Sequence, residues 1–196
     1  MAGIVLAGGE NRRMGTDKAF LSLAGRPMIE HILQALRGTA DPVIIVTNSP
    51  GAYAAYDARV TCDAFAKRGP LTGIYSGLLC STDEYNMVVA CDMPFLNQKL
   101  LAYMMTAAAG YDVTLPKVGD FVEPLHAVYR KGLLSVIEEH IKKDQRQIRS
   151  MFDGLRIRFI TEEEIDRFDP MRRSFINLNT PEEYKEVACS DLECRS

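Results

Sequence analysis

Short apolar runs that end in glycine or polar residues alternate along the chain with stretches whose apolar positions recur every three to four residues. Gly3–Ala7 (Gly-Ile-Val-Leu-Ala) is a continuous apolar run closed by glycines, which predicts a central strand buried on both faces. Pro27 can open a helix at its first position; Met28, Ile32, Ala35 and Leu36 then share one face and Gly38 stops it. Pro42–Thr47 reads as a second buried strand, Arg59–Cys62 as a weaker third, and Asn86–Cys91 as another that ends in Asp92-Met93-Pro94. Between them Gly69-Pro70-Leu71-Thr72 begins a helix that continues to Cys80.

Further along, Asn97 caps a helix to about Ala109, with Leu100, Leu101, Met104, Met105 and Ala108 as its apolar stripe. Val113–Pro116, Leu125–Tyr129 and Ile157–Ile160 suit strands, Leu133–Ile141 a helix and Gln147–Phe152 a short one. Thr180-Pro181-Glu182-Glu183 forms a capping box, which predicts a last helix to about Ala188. Strands separated by helices imply an α/β protein with a mainly parallel sheet between helical layers. In such sheets ligands lie outside the carboxyl ends of the strands. The segments Gly8–Lys18 and Asp92 with its neighbours are therefore where chemistry is expected.

Composition narrows the class. With 196 residues, 47% hydrophobic, 25% charged and a net charge of −3, the chain suits one globular domain with a core that needs no disulfide or metal staple. No polybasic run favours nucleic acid or an anionic membrane as partner. The cysteines Cys62, Cys80, Cys91, Cys189 and Cys194 form no Cys-x-x-Cys pair and suit free thiols or small apolar fillers. No stretch has the ~18 apolar residues of a membrane span, and Gly3 opens an apolar run with no basic leader before it. These features make the cytoplasm the expected location.

The loop after the first strand reads Leu6-Ala7-Gly8-Gly9-Glu10-Asn11-Arg12-Arg13-Met14-Gly15-Thr16-Asp17-Lys18. Its glycines allow close backbone approach to a ligand, and Arg12, Arg13 and Lys18 supply cations; together they suit a polyphosphate. It is not a Walker A loop, because five residues separate Gly9 from Gly15 and no Gly-Lys-Ser/Thr follows. A solvated basic loop would show the same charges. Placement at a strand's carboxyl end favours the phosphate reading.

The pattern Leu-Ala-Gly-Gly-x₃-Arg-Met-Gly-x-Asp-Lys resembles the signature of molybdenum cofactor guanylyltransferases and their nucleotidyltransferase relatives. Gly69-Pro70-Leu71-Thr72-Gly73, Cys91-Asp92-Met93-Pro94 and Asn177-Leu178-Asn179-Thr180-Pro181 agree with that family in order and spacing. The resemblance runs from about Gly3 to Tyr184. It implies a three-layer α/β/α, Rossmann-like (GT-A-like) nucleotidyltransferase fold with a mainly parallel mixed central sheet. Residues 1–196 would form one domain, with a nucleotide-binding half over about 1–95 and an acceptor-binding half over about 96–190.

The resemblance further implies transfer of GMP from GTP to the terminal phosphate of molybdenum-molybdopterin, with release of pyrophosphate. Leu6, Ala7, Gly8 and Gly9 would contact the nucleotide, and Arg13 and Lys18 would act on its phosphates. Asp92 would carry the metal, Mg²⁺ or alternatively Mn²⁺, and join Arg13 and Lys18 in catalysis. Asn48 and Asp63 fall on nucleotide-side positions, where a carboxylate can accept from guanine N1–H and N2–H₂. His126, Asn177 and Asn179 fall on the acceptor side, with Arg146 and Arg149 as further candidates for its phosphate. Transient contact with molybdenum insertion proteins and molybdoenzymes would accompany such an activity.

Plainer roles stand beside each of these: a loop carboxylate for Asp63, a helix-entry aspartate for Asp92, a core histidine for His126, and a solvated helix face for Arg146 and Arg149. Two other functions share the pattern. One is a relative that uses CTP or acts on a cobamide or sugar phosphate; Glu10 departs from the small or basic residues often found at its position in the family. The other is a non-catalytic nucleotide-binding module, against which Arg13, Lys18 and Asp92 together argue.

Overall fold

The computed structural model describes residues 1–8, 18–66, 69–145, 147–178 and 183. Its centre is a mixed sheet whose main path runs β10-β7-β9-β6-β1-β4-β5. The strands are β1 (Ala2–Leu6), β4 (Val43–Val46), β5 (Arg59–Thr61), β6 (Tyr85–Ala90), β7 (Val113–Val118), β9 (His126–Arg130) and β10 (Ile157–Ile160). β1 pairs in parallel with both β4 and β6, β4 with β5, and β7 with β10. β9 is antiparallel to both its neighbours, β6 and β7. A two-residue strand β8 (Phe121–Val122) folds back on β7. A separate hairpin, β2 (Ser22–Leu23) with β3 (Arg26–Pro27), precedes the first helix.

Strand side chains alternate between the two faces, and the core divides accordingly. Val5, Ile45, Met87, Val89 and Val128 face α1 (Met28–Arg37) and α3 (Gln98–Ala107), meeting Ile29, Ile32, Leu36, Leu100 and Met104. Ile4, Ile44, Val46, Val88 and Tyr129 face the opposite layer, α2 (Pro70–Cys80) and α4 (Leu134–Lys142), through Leu71, Ile74, Leu78 and Ile137. This is the expected three-layer α/β/α arrangement. α2 comes unusually near the sheet: a Cβ on Gly77 would stand 2.4 Å from Ile4 Cγ2.

Most predicted elements recur with boundaries shifted by a residue or two. Pro27 stands just outside α1 as its N-cap rather than inside the first turn. Asn97 caps α3 as expected, its side chain accepting from the N–H groups of Lys99 (2.9 Å) and Leu100 (3.1 Å). A fifth short helix, α5 (Glu162–Asp166), was not foreseen, although Thr161 and Glu164 close a reciprocal capping box at its start. The helix expected from Thr180 to Ala188 lies outside the described residues, Glu183 apart. Among the described residues no helix is long and apolar enough to cross a membrane.

Candidate active site

The parallel strands β5, β4, β1 and β6 end along one edge of the sheet, and their following residues converge there. The Ala7 N–H donates to Val46 O (2.9 Å), and the Cys91 N–H donates to Leu6 O (3.1 Å). These bonds carry the ladder past the ends of the strands, holding Gly8 beside the tip of β4 and Asp92 beside the tip of β1. A Cβ on Gly8 would lie 3.9 Å from Asn48 Nδ2 and 4.0 Å from Asp63 Oδ2, so all three residues border one hollow. Within it Asn48 Nδ2 donates to Asp63 Oδ2 at 2.7 Å. That bond orients the carboxylate and leaves Oδ1 for a further donor.

Asp92 is half-buried at the end of β6, and its Oδ1 is buried with no hydrogen-bond partner among the described residues. Burial pushes its carboxyl above the usual carboxylate range, against a backbone hydrogen bond and the positive charge of Lys18. A buried carboxylate oxygen without a donor is costly unless a cation or proton meets it. Mg²⁺ is commonly held by one or two carboxylates plus substrate phosphates, so this donor fits a hard divalent cation shared with a nucleotide. Among the described residues no cluster of three or more His, Cys, Asp or Glu side chains could form an all-protein metal cage. Lys18 starts the short 3-10 turn Lys18–Phe20 where the loop re-enters the fold, near enough to influence Asp92 electrostatically. Gly9 and Arg13 lie outside the described residues.

On the other flank of Asp92, the Leu178 N–H donates to Asp92 O (2.9 Å), which brings half-buried Asn177 alongside. Leu178 also packs with Leu23 and Met28, tying this segment to the β2–β3 hairpin. Asn179 and Arg146 lie outside the described residues. Arg149 packs against the β8 turn: its Nη2 donates to Val122 O (3.3 Å) and its guanidinium lies over the Phe121 ring.

His126 departs from its expected place. The residue is wholly buried, with its ring edge-on to Phe175 at 5.2 Å between centroids. It begins β9 on the face shared with Val128, so strand alternation turns it into the core rather than toward an acceptor. Burial lowers its pKa to about 4, with Asp169 pulling the other way, so the ring is neutral at pH 7. The residue that the sequence passed over is Glu123. It is buried, its Oε1 accepts from the Leu125 N–H (3.1 Å), and burial followed by the nearby Asp92 charge raises its pKa. Its signal was a carboxylate immediately before Pro124 at the mouth of a strand.

A cavity of about 180 Å³ opens beside Glu123, lined also by Pro116, Val118, Phe121, Arg172 and Phe175. Its walls are fixed. Tyr129 Oη donates to Pro124 O (2.8 Å), holding the turn that carries Glu123. Asp169 accepts from the Arg173 N–H (3.1 Å) and the Ser174 N–H (2.8 Å), holding the turn that carries Phe175.

Comparison with known proteins places this geometry among its relatives. Residues 3–163 match the family described as the MobA-like NTP transferase domain. The molybdenum cofactor guanylyltransferase of Desulfosudis oleivorans is 38% identical over 95% of this chain and 94% of its own length. That of Syntrophotalea carbinolica is 31% identical over 93% of this chain and 88% of its own. Among solved structures, molybdopterin-guanine dinucleotide biosynthesis protein A from Archaeoglobus fulgidus superposes with a TM-score of 0.85 at 27% identity, covering 100% of both chains. The 2-C-methyl-D-erythritol 4-phosphate cytidylyltransferase of Thermus thermophilus shares the fold, with a TM-score of 0.70 at 16% identity over 96% of this chain and 98% of its own.

Proposed function

The chain belongs to the MobA-like NTP transferase family, and from that premise we propose that it transfers GMP from GTP to the terminal phosphate of molybdenum-bearing molybdopterin and releases pyrophosphate. The observation that carries the reading is the buried, unpartnered Oδ1 of Asp92, set between the Gly8 turn and the Asn177–Leu178 segment. The names of the guanylyltransferase relatives supply the base and the acceptor.

The reaction asks little acid–base chemistry of the protein. A phosphate monoester has a second pKa of ~6 and is mostly dianionic at neutral pH, so its oxygen needs no strong general base. That oxygen forms a bond to the α-phosphorus of GTP while the bond from the α-phosphorus to the β-phosphate oxygen breaks, and pyrophosphate leaves. The obstacle is the approach of one polyanion to another, and catalysis is positioning plus charge stabilisation. Lys18 brings positive charge to the phosphates, and Arg13 joins it by motif. The backbone of Leu6, Ala7 and Gly8 lines the nucleotide's approach, with Gly9 assigned beside them by motif. Asn48 holds Asp63 so that its open oxygen meets the guanine N1–H and N2–H₂ edge. Asp92 would hold a divalent cation, Mg²⁺ by preference, which when bound would neutralise phosphate charge and polarise the α-phosphorus. Asn177 stands beside Asp92 on the acceptor's route to that centre, and Asn179 joins it by motif. A cytoplasmic location and hand-over to molybdoenzymes belong to the same reading.

The test is pyrophosphate release from GTP with molybdopterin supplied, run beside Asp92→Ala. Thermal-shift titrations with GTP, CTP, ATP and UTP, each with and without Mg²⁺, should show a metal-dependent preference for GTP. No release by the folded wild type, or an equal shift with every nucleotide, would overturn the proposal.

A further inference from the structure

Asp63 is held from two sides, and the second hold comes from α2. Asn48 Nδ2 steers the carboxylate itself. The backbone that follows the carboxylate is fixed by Ser76: the Ala64 N–H donates to Ser76 Oγ at 2.9 Å. Ser76 is buried, and its hydroxyl donates in turn to Thr72 O, one helical turn earlier, at 2.8 Å. A hydroxyl has a single proton, so giving it to Thr72 O leaves Oγ as a fixed acceptor for the Ala64 N–H. One residue further on, the Phe65 ring meets the Tyr75 ring edge-on at 5.1 Å between centroids. Asp63 is thus followed by two successive residues docked on neighbouring positions of one helix.

That helix is pressed against the strand that leads to the glycine turn. A Cβ on Gly73 would stand 3.2 Å from Leu6 Cδ2, and one on Gly77 would stand 2.4 Å from Ile4 Cγ2. Thr72 and Ser76 each precede one of these glycines, which places them about 100° round the helix, on the flank that meets the Asp63 segment. α2 therefore ties the strand behind Gly8 to the segment behind Asp63, and with them two walls of one hollow. Resting on the base-reading role proposed above for Asp63, we propose that Ser76 is a positioning residue that sets the selectivity for guanine. Asn48 fixes the rotation of the carboxylate, and Ser76 fixes the backbone from which it projects. An acceptor held in advance keeps the affinity that one ordered only on binding gives back. Ser76 is buried, so its effect reaches the base through Asp63.

The experiment titrates the full chain by calorimetry with GTP and with inosine triphosphate, which lacks the 2-amino group, in the presence of Mg²⁺. Amide hydrogen exchange at Ala64 is the second readout. Loss of a hydrogen bond to a charged acceptor amounts to about tenfold or more in affinity, so the wild type should prefer GTP by at least that ratio. Ser76→Ala removes only the hydroxyl and puts a good helix former in its place. It should bring the two nucleotides within about threefold of each other and speed exchange of the Ala64 amide about tenfold or more. Ser76→Thr, which restores the hydroxyl, should regain at least about half of the wild-type ratio. A merely structural role would weaken both nucleotides alike. An equal loss for the two in Ser76→Ala, or an unchanged ratio there while Asp63→Asn loses it, overturns the inference. No preference in the wild type, or a preference kept by Asp63→Asn, would instead overturn the base-reading role of Asp63, and the inference would fall with it.

Discussion

Asn48 and Asp63, which follow adjacent parallel strands, are joined by a hydrogen bond of 2.7 Å from the amide nitrogen to Oδ2. A carboxylate on a loop is ordinarily free to rotate; this one is steered by a neighbour and presents one fixed acceptor oxygen. If that oxygen reads guanine, the measurable consequence is a preference for GTP over inosine triphosphate, which lacks the 2-amino group. Wild type should favour GTP by about tenfold or more in kcat/KM, and Asp63→Asn should lose most of that ratio. Asn48→Ala, which leaves the carboxylate in place but unsteered, should fall between them. An unchanged ratio in Asp63→Asn would remove base recognition from this pair.

Lys18 and Asp92 are expected to matter for turnover and not for folding. Asp92 Oδ1 makes no hydrogen bond among the described residues, so deleting the carboxylate breaks no bond of that oxygen. Removing an electrostatic group that acts on the reacting phosphates typically lowers kcat by ~10²–10³. Asp92→Ala and Lys18→Ala should therefore lose GMP transfer on that scale while retaining the wild-type circular dichroism spectrum and unfolding midpoint within a few degrees. Full transfer by Lys18→Ala at saturating GTP would take that residue out of the phosphate site.

The contact of α2 with β1 should be among the least tolerant places in the fold. A Cβ at Gly77 would overlap Ile4 Cγ2 at 2.4 Å, and Ile4 is itself fully buried. Overpacking a core of this kind costs about 1–3 kcal/mol. Alanine's better helix propensity offsets about 0.8–1.0 kcal/mol of it. At about 2–4 °C per kcal/mol, Gly77→Ala should lower the melting temperature by several degrees. Gly132→Ala, where a Cβ would meet nothing within 4 Å, should stay near wild type in the same scan.

The elements with strong periodicity were legible: β1, β4, β6, α1 and α3 follow from apolar runs and stripes, and Asn97 from its capping chemistry. So was the placement of Gly8 and Asp92, because the end of a parallel strand is a position that order along the chain already predicts. The β2–β3 hairpin was not, since two-residue strands carry no measurable alternation. The antiparallel direction of β9 was not either: an apolar strand reads the same both ways, and orientation depends on which neighbours it finds. The His126 expectation failed for a related reason. Only the pairing of His126 opposite Val89 decides which face receives the imidazole. α5 is a different case: Thr161-Glu162-Glu163-Glu164 is as clear a capping box as the one read at Thr180, but it precedes too short an apolar pattern to announce a helix.

His126 should leave a signature in the dependence of stability on pH. In the unfolded chain its imidazole titrates near 6.5; buried against Phe175 it stays neutral until about pH 4. Between those values the unfolded state binds the extra proton, so stability is complete above pH 6.5 and falls as pH drops toward 4. At 1.36 kcal/mol for each unit, the loss amounts to about 3 kcal/mol across that window. Asp112, Glu164 and Asp166, whose carboxyls are held low by neighbouring hydrogen bonds and charges, also withdraw stability in acid, but they do so in any variant at position 126. Urea unfolding of wild type and His126→Leu at pH 7, 5.5 and 4 separates the two contributions. The stability of wild type relative to His126→Leu should fall by about 3 kcal/mol from pH 7 to 4, because only the wild type pays for keeping an imidazole neutral. Parallel pH profiles would mean that the ring gains its proton within the fold, held there by the charge of Asp169, and that the core tolerates an ion pair beside Phe175.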